Sequence, residues 1–362
     1  MTIENEIVLK IKGKEFSGWK TLEVNQSIDQ LASYFAFEYT EKDWLEQGFA
    51  MGDPAVVSLN NNRLLTGYVE EIDKSYTDTS HSLQIRGRDA LGDLIDCSFY
   101  QEGKSGEWKN LTVKRLIEAL IAQFNIQLSV DSSVASALSQ TKHSFEVRQG
   151  DTIADSLMRL AREFAFLPVS YGDGKLTVTR AGRNRRAVTA IEKGKNVKSG
   201  SSLQSNIDRF SVYVVKGSNT GDVLHEIASY TAPVAKVIDS LIERHRPLVI
   251  IHEDKTTTAK CKDRAKWESM IRAGKSRSFN YKVQGWLQED GTPWPVNAMY
   301  HIRDDVLNVN GEYLCNQLSF RLDSDGANTS FSFVDRDTYE LIEQPEKISG
   351  DNDSLLREII RR

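Results

Sequence analysis

Gly103-Lys104-Ser105 and Gly274-Lys275-Ser276 end as a phosphate-binding loop ends, where backbone N–H groups and a lysine cradle a polyphosphate. Such a loop starts with a further glycine and follows an apolar strand. Ser98 and Ser269 stand where that glycine belongs and neither stretch follows an apolar run, so nucleotide binding is set aside. Metal chemistry finds no better support. The six histidines, His81, His143, His225, His245, His252 and His301, are isolated, without a His-x-x-x-His spacing or a nearby cysteine pair. No Gly-x-Ser-x-Gly elbow offers a serine nucleophile. Asp304-Asp305 and Glu70-Glu71 are adjacent carboxylates, but neighbours on a strand point to opposite faces and cannot share one proton. The sequence holds no catalytic, cofactor-binding or metal-binding constellation.

Two other stretches have the look of binding segments. Val147-Arg-Gln-Gly-Asp-Thr-Ile-Ala-Asp-Ser-Leu157 resembles the opening of a LysM peptidoglycan-binding module, which is built strand, helix, helix, strand. Here a hairpin pattern follows the first helix directly, so a structural helix start explains these residues more simply. The basic run from Arg180 to Lys198 carries Arg183, Arg185, Arg186, Lys193, Lys195 and Lys198 among glycines and serines. It has no interleaved aromatics to stack on bases, which makes it a solvated connector rather than a nucleic-acid site. Net charge agrees: 46 Lys and Arg against 51 Asp and Glu leave −5, the wrong sign for gripping phosphates.

A chain of 362 residues holds two or three domains, each able to bury a core. Cys97, Cys261 and Cys315 are far apart and odd in number, as free thiols of a reducing compartment are. Met1 to Glu6 is acidic and runs into an alternating strand, so no signal peptide is expected. No apolar run approaches the ~20 residues of a membrane helix. These features describe a soluble protein made in a cytoplasm.

Residues 1–98 read as a first β domain. Ile7–Lys12 alternates, Gly13-Lys14 turns the chain, Trp19–Val24 continues, and Leu31–Tyr39 carries aromatics at period two. Asp53–Leu59, Leu64–Ile72 and Ser82–Asp89 are three more strands, and Ala90–Cys97 closes the domain as a short helix or turn. Residues 99–185 are mixed. Val113, Leu116, Ile117, Leu120, Ile121 and Phe124 share one helical face behind Thr112 as N-cap, and Ile126–Val130 is a strand. Thr152 and Asp155 open a second helix as a capping box, with a hairpin after it over Phe166–Thr179.

Residues 186–340 form a second β domain. The linker-like run 181–204 leads into it, and Phe210–Val215 is a strand. Val234–Ile242 reads as a short helix or packed loop, and Thr256–Ala273 as a helix with Trp267, Met270 and Ile271 on one face. Met299–Arg303, Glu312–Leu322 and Thr329–Asp335 are strands parted by turn residues. Residues 341–362 are a polar tail that ends with Leu355, Leu356, Ile359 and Ile360.

The two β domains share a pattern. Each runs strand, turn, strand, polar turn, strand and ends on Arg-Asp, at Arg88-Asp89 and Arg336-Asp337, which marks them as related. Further landmarks are Gly87-Arg-Asp89 with Asp93–Ser98, and Gly150-Asp-Thr152 with Gly172-Asp-Gly-Lys-Leu176. Gly194-Lys-Asn-Val197, Arg209-Phe-Ser-Val-Tyr213, Arg246-Pro247 and the cluster of Gly285, Trp286, Trp294 and Asn297 complete the set. In this order they resemble the baseplate hub proteins of Mu-like contractile-tailed phages and prophages, over residues 1–340.

That resemblance implies a structural virion protein without enzymatic activity or cofactors. It would sit in the tail baseplate, join the tail tube to the central spike and line the DNA passage without binding DNA specifically. The implied fold class is α+β, mainly β: two related β-barrel-like domains with an inserted mixed α/β segment, assembling as a homotrimer into a pseudo-sixfold ring. The alternative is a peptidoglycan-binding or cell-wall-degrading tail component. Trp286 and Trp294, each beside a Gly or Pro turn, are expected in the core of the second barrel. Leu355, Leu356, Ile359 and Ile360 form an apolar set with no following core to enter, and are the candidate partner interface.

Overall fold

The computed structural model describes residues 6–40, 48–218, 233–255 and 257–342; Leu355, Leu356, Ile359 and Ile360 lie outside the described residues. The first seven strands are β1 (Ile7–Ile11), β2 (Lys14–Phe16), β3 (Thr21–Ser27), β4 (Tyr34–Tyr39), β5 (Pro54–Leu59), β6 (Asn62–Tyr76) and β7 (His81–Asp89). They pair antiparallel in the spatial order β3-β4-β7-β6-β5-β1-β2. Period-two alternation decides which face is buried. Ile7, Leu9, Ile11, Phe35, Phe37, Val57, Leu59, Leu83 and Ile85 all turn inward. Trp19 covers them, its ring 4.6 Å from that of Phe37.

Next come α1 (Gly92–Asp96), β8 (Glu107–Thr112), α2 (Val113–Ile121), β9 (Gln127–Val130), α3 (Ala135–Ser139), β10 (Thr141–Glu146), α4 (Ile153–Glu163), β11 (Leu167–Val169) and β12 (Lys175–Thr179). The side chain of Thr112 accepts the Arg115 N–H at the start of α2, and Thr152 and Asp155 close a reciprocal capping box on α4. The helices bury Val113, Leu116, Leu120, Ile153, Leu157 and Leu160 in a core of their own. β8 pairs with β10, while β12 lies between β11 and a parallel β9.

Residues 181–204 are not a linker. β13 (Ile191–Glu192) and β14 (Val197–Gln204) are strands, and β14 runs antiparallel to β18 (Arg277–Gln284). A small separate sheet follows, of β15 (Val212–Ser218), β16 (Val234–Ile238) and β17 (Pro247–Lys255), with β15 in the middle. Val234–Ile238 is therefore a strand, as its β-branched residues favour, rather than a helix or loop. The helix α5 (Thr258–Lys275) covers this sheet with Cys261, Ala265 and Glu268. Trp267, Met270 and Ile271 are only half-buried, because small residues bring α5 close to the sheet along a different stripe.

The largest correction concerns the barrels. β18 joins β19 (Ala298–Asp304), β20 (Val309–Asp323) and β21 (Gly326–Val334), and among the described residues no closed barrel forms. One open sheet of 13 strands runs β14-β18-β21-β20-β3-β4-β7-β6-β5-β1-β2, with β19 on β20 and β13 on β19. The 15-residue β20 is the reason. Along one side its first half pairs with β19 and its second half, Gln317–Leu322, pairs with β3. An edge that would have to fold back on its own half is thus spent on the other half. Alternating strands look the same in sequence whether a sheet closes or stays open. A pseudo-sixfold ring of barrels falls with the barrels.

Both halves use one strand order, β14-β18-β21-β20-β19 matching β3-β4-β7-β6-β5. Each long middle strand carries a bulge, between Val69 and Glu71 in β6 and between Cys315 and Gln317 in β20. Counting from the bulges sets Arg88 against Val334, so Asp89 corresponds to Asp335, and the Arg-Asp of Arg336-Asp337 is two residues out of register. Asp89 and Asp335 each accept the N–H two residues on. A single buried cluster spans both halves and includes Trp286 and Trp294, at 5% and 3% exposure.

Candidate functional site

The residues singled out for chemistry do not come together. Gly103-Lys104-Ser105 is an exposed turn before β8. Gly274 is a packing residue: a Cβ there would lie 2.6 Å from Thr338 Oγ1, where α5 crosses the short helical turn Arg336–Tyr339. Asp304 is buried and accepts from the Tyr281 hydroxyl at 3.2 Å, while Asp305 faces solvent and pairs with Lys193 at 2.7 Å. The lysine holds the Asp305 carboxyl below its usual range. Glu70 and Glu71 pair with Arg88 and Arg86. Among the described residues no His, Cys, Asp and Glu cluster suited to a metal occurs.

The basic run is consumed by contacts within the chain. Arg186 pairs with Glu312, Lys195 with Glu192, and Arg183 lies 3.6 Å from Glu340. Arg185 lies over the Tyr171 ring at 4.2 Å. Cations neutralised in this way offer little to a phosphate backbone. The stretch at 147–157 is absorbed by the capping box and by α4, whose Ile153, Leu157 and Leu160 are buried.

What the fold does assemble is a three-way joint at Ser170-Tyr171-Gly172, just after β11. The Ser170 hydroxyl donates to the buried Asp89 carboxylate, which also accepts the Ser33 N–H at 2.9 Å and the Leu91 N–H at 3.0 Å. Burial pushes the Asp89 carboxyl up to about 6, against the pull of these donors. Gln26 Nε2 donates to Leu64 O at 2.8 Å and, at 3.4 Å, to Tyr171 O. Gly172 has φ +78°, and a Cβ there would sit 1.8 Å from Leu64 O, so only glycine fits. On the other side Asn297 Nδ2 donates to the Tyr171 hydroxyl at 2.9 Å, and Asn297 Oδ1 accepts the Gly182 N–H at 2.9 Å. Sequence reasoning picked out Asp89, Gly172 and Asn297 as landmarks without seeing that they meet.

A second feature that sequence reasoning missed lies over the β20–β3 seam. An open cleft of about 340 Å³ is floored by β20, β3, β4 and β7 and edged by Glu23, Glu38, Arg86, Arg321 and Asp323. Its charges are matched: Arg321 pairs with Glu23 at 2.7 Å and Lys20 with Glu38 at 2.8 Å. Tyr34 also donates to Glu23, and burial followed by that carboxylate raises its phenol to about 12. Balanced, solvated pairs of this kind give a surface little preference for one sign of ligand.

Three family models match in sequence along the chain. They are the N-terminal domain of the Mu phage baseplate assembly protein GpP-like family over 6–89, the second domain of the baseplate hub protein gp44-like family over 91–180, and the fourth domain of Mu phage baseplate assembly protein GpP over 257–342. The chain is 27% identical to the baseplate hub protein gp44 of Escherichia phage Mu, over 99% of its own length and 97% of that protein. These matches relate the chain to the Mu gp44/GpP family of baseplate hub proteins. Its fold matches the 43 kDa tail protein of prophage MuSo2 from Shewanella oneidensis with a TM-score of 0.82, at 27% identity over 93% of this chain and 100% of that one. A tail protein from Neisseria meningitidis shares the fold at a TM-score of 0.78 and 19% identity, over 94% and 100%. In this chain the joint draws one residue from each matched segment: Asp89, Tyr171 and Asn297.

Proposed function

We propose that this protein works as a homotrimeric baseplate hub, joining the tail tube to the central spike of a Mu-like contractile tail. Near full-length similarity to the phage Mu hub protein carries this reading. The physical design suits it. A sheet running unbroken through both halves, pinned by the Asp89–Ser170–Asn297 joint, transmits load through backbone hydrogen bonds rather than through a flexible linker. DNA passes without specific binding, and three chains of −5 each make an assembly that repels phosphates. The protein would be made in the host cytoplasm and divide into 1–98, 99–185, 186–340 and a tail at 341–362. Light scattering on the purified chain tests the assembly: three chains of 40.9 kDa are expected, and a single-chain mass at micromolar concentration overturns it.

A further inference from the structure

Asp89 lies where two cores meet. Leu31, Ala32, Leu91 and Leu94 pack with the helices of the mixed segment, while Phe35, Val69 and Val169 belong to the core of the large sheet. The acid is 2% exposed, and its bonds come from neutral donors: the N–H groups of Ser33 and Leu91 and the hydroxyl of Ser170. The charged and titratable groups on the elements around it are engaged elsewhere. Arg88 bonds Glu70 and Asp96, and Asp93 and Cys97 of the α1 turn sit with that group. Asp29 accepts from Asn316 and Tyr339, and the Tyr34 phenol donates to Glu23. On the far side the Tyr171 phenol accepts from Asn297, and Asp173 accepts the Lys175 N–H at the exposed hairpin turn.

The three donors are not alike. The Asp89 N–H is itself bonded to Ser33 O at 2.9 Å, and Leu91 is two residues on in the chain, so these two partners move with the acid. Ser170 comes from the mixed segment, 81 residues away. Its Oγ accepts the Gly172 N–H at 3.0 Å, and its own proton goes to Asp89. A carboxylate that needs water must therefore open the Ser170 side. We propose that Asp89 is a proton-operated latch: protonated, it keeps residues 170–172 seated on the sheet, and ionised, it lets them open to water while both cores stay folded.

A buried carboxylate without a counter-ion is costly, and here burial outweighs the donors, lifting the carboxyl to about 6. Opening hydrates the group and returns it to its ordinary 3.8. The closed joint is thus favoured below pH ~4, and opening grows as pH rises through about 6. Between pH 4 and pH 7 that linkage raises the opening constant about fiftyfold. Both halves of the sheet would feel the release. Gly172 rests against Leu64 O of the first half, while Tyr171 meets Asn297 and Arg185 on the other side. Few contacts hold these three residues, so they can open below the free energy of unfolding the chain.

The test is hydrogen exchange on the full chain at pH 4 and pH 7, with rates corrected for the intrinsic pH dependence of amide exchange. Peptides covering residues 170–172, which include the Gly172 N–H, should open about fiftyfold more at pH 7, while peptides from β20 and β21 stay unchanged. Asp89→Asn should abolish the difference between the two pH values. Ser170→Ala keeps the acid but removes the hydroxyl that reaches it from the mixed segment, so its joint should exchange faster than the parent's already at pH 4. This variant and the parent decide the matter even where Asp89→Asn does not fold. Equal opening of the parent joint at both pH values overturns the latch, as does an unchanged Ser170→Ala joint at pH 4. So does a rise shared by β20 and β21, which would mark unfolding of the whole chain, or a rise that persists in Asp89→Asn.

Discussion

Asp89 should make its titration visible in the stability of the folded chain. Its carboxyl is pushed from an ordinary 3.8 up to about 6 because burial at the joint outweighs the donors from Ser33, Leu91 and Ser170. The folded state therefore holds this proton more tightly than the unfolded chain does. The stabilisation it brings is complete below pH ~4 and is lost as pH rises through about 6. A shift of roughly two units at ~1.4 kcal/mol each makes the effect about 3 kcal/mol. Asp89→Asn removes the titration but keeps the shape and one acceptor oxygen. Urea unfolding of parent and variant between pH 4 and pH 7 isolates the effect, because other acids, such as Glu38 held low by Lys20, contribute equally to both. From pH 7 to pH 4 the parent should gain about 2.5 kcal/mol on the variant, the rest lying below the unfolded carboxyl's own titration near pH 4. A difference that stays flat, or that runs the other way, would refute the reasoning.

The indole N–H of Trp286 donates to Arg321 O at 2.9 Å, and Trp294 meets the Phe331 ring edge-on at 5.3 Å. Trp286→Ala and Trp294→Ala should each cost ~3–5 kcal/mol in urea melts, and variants that melt like the parent would show the rings to be dispensable. For the apolar tail the measurement is co-purification with the spike. Deleting Ser354–Arg362 should leave the three-chain mass intact and weaken spike retention, if the apolar set Leu355, Leu356, Ile359 and Ile360 is the docking segment. Unchanged retention would place the docking surface elsewhere.

Local patterns were legible because they are set by a few neighbouring residues. Thr112 and Thr152 are N-caps by side-chain geometry alone, and Phe35 and Phe37 turn inward because strand side chains alternate. The two halves could be matched from their turns and strands, though the shared Arg-Asp pointed two residues off register. Residues 181–204 misled for a physical reason. Glycines, serines and cations resemble a connector until strands from elsewhere in the chain supply β13 and β14 with partners. On α5 the small residues Cys261 and Ala265 are the buried ones, while Trp267, Met270 and Ile271 are half-buried, a choice set by the sheet it packs on.

The sequence by itself determined most of the elements, several of their turns and caps, and the likeness to phage hubs. Each depends on residue type within a few positions, or on landmarks in a fixed order. Only the tertiary structure decided that the sheet stays open, that β20 is shared between β19 and β3, and that Asp89, Ser170, Tyr171 and Asn297 meet. Those outcomes depend on which of several similar strand edges finds another. Backbone hydrogen bonds are alike at every edge, so partner choice is settled by long-range packing that no local pattern encodes.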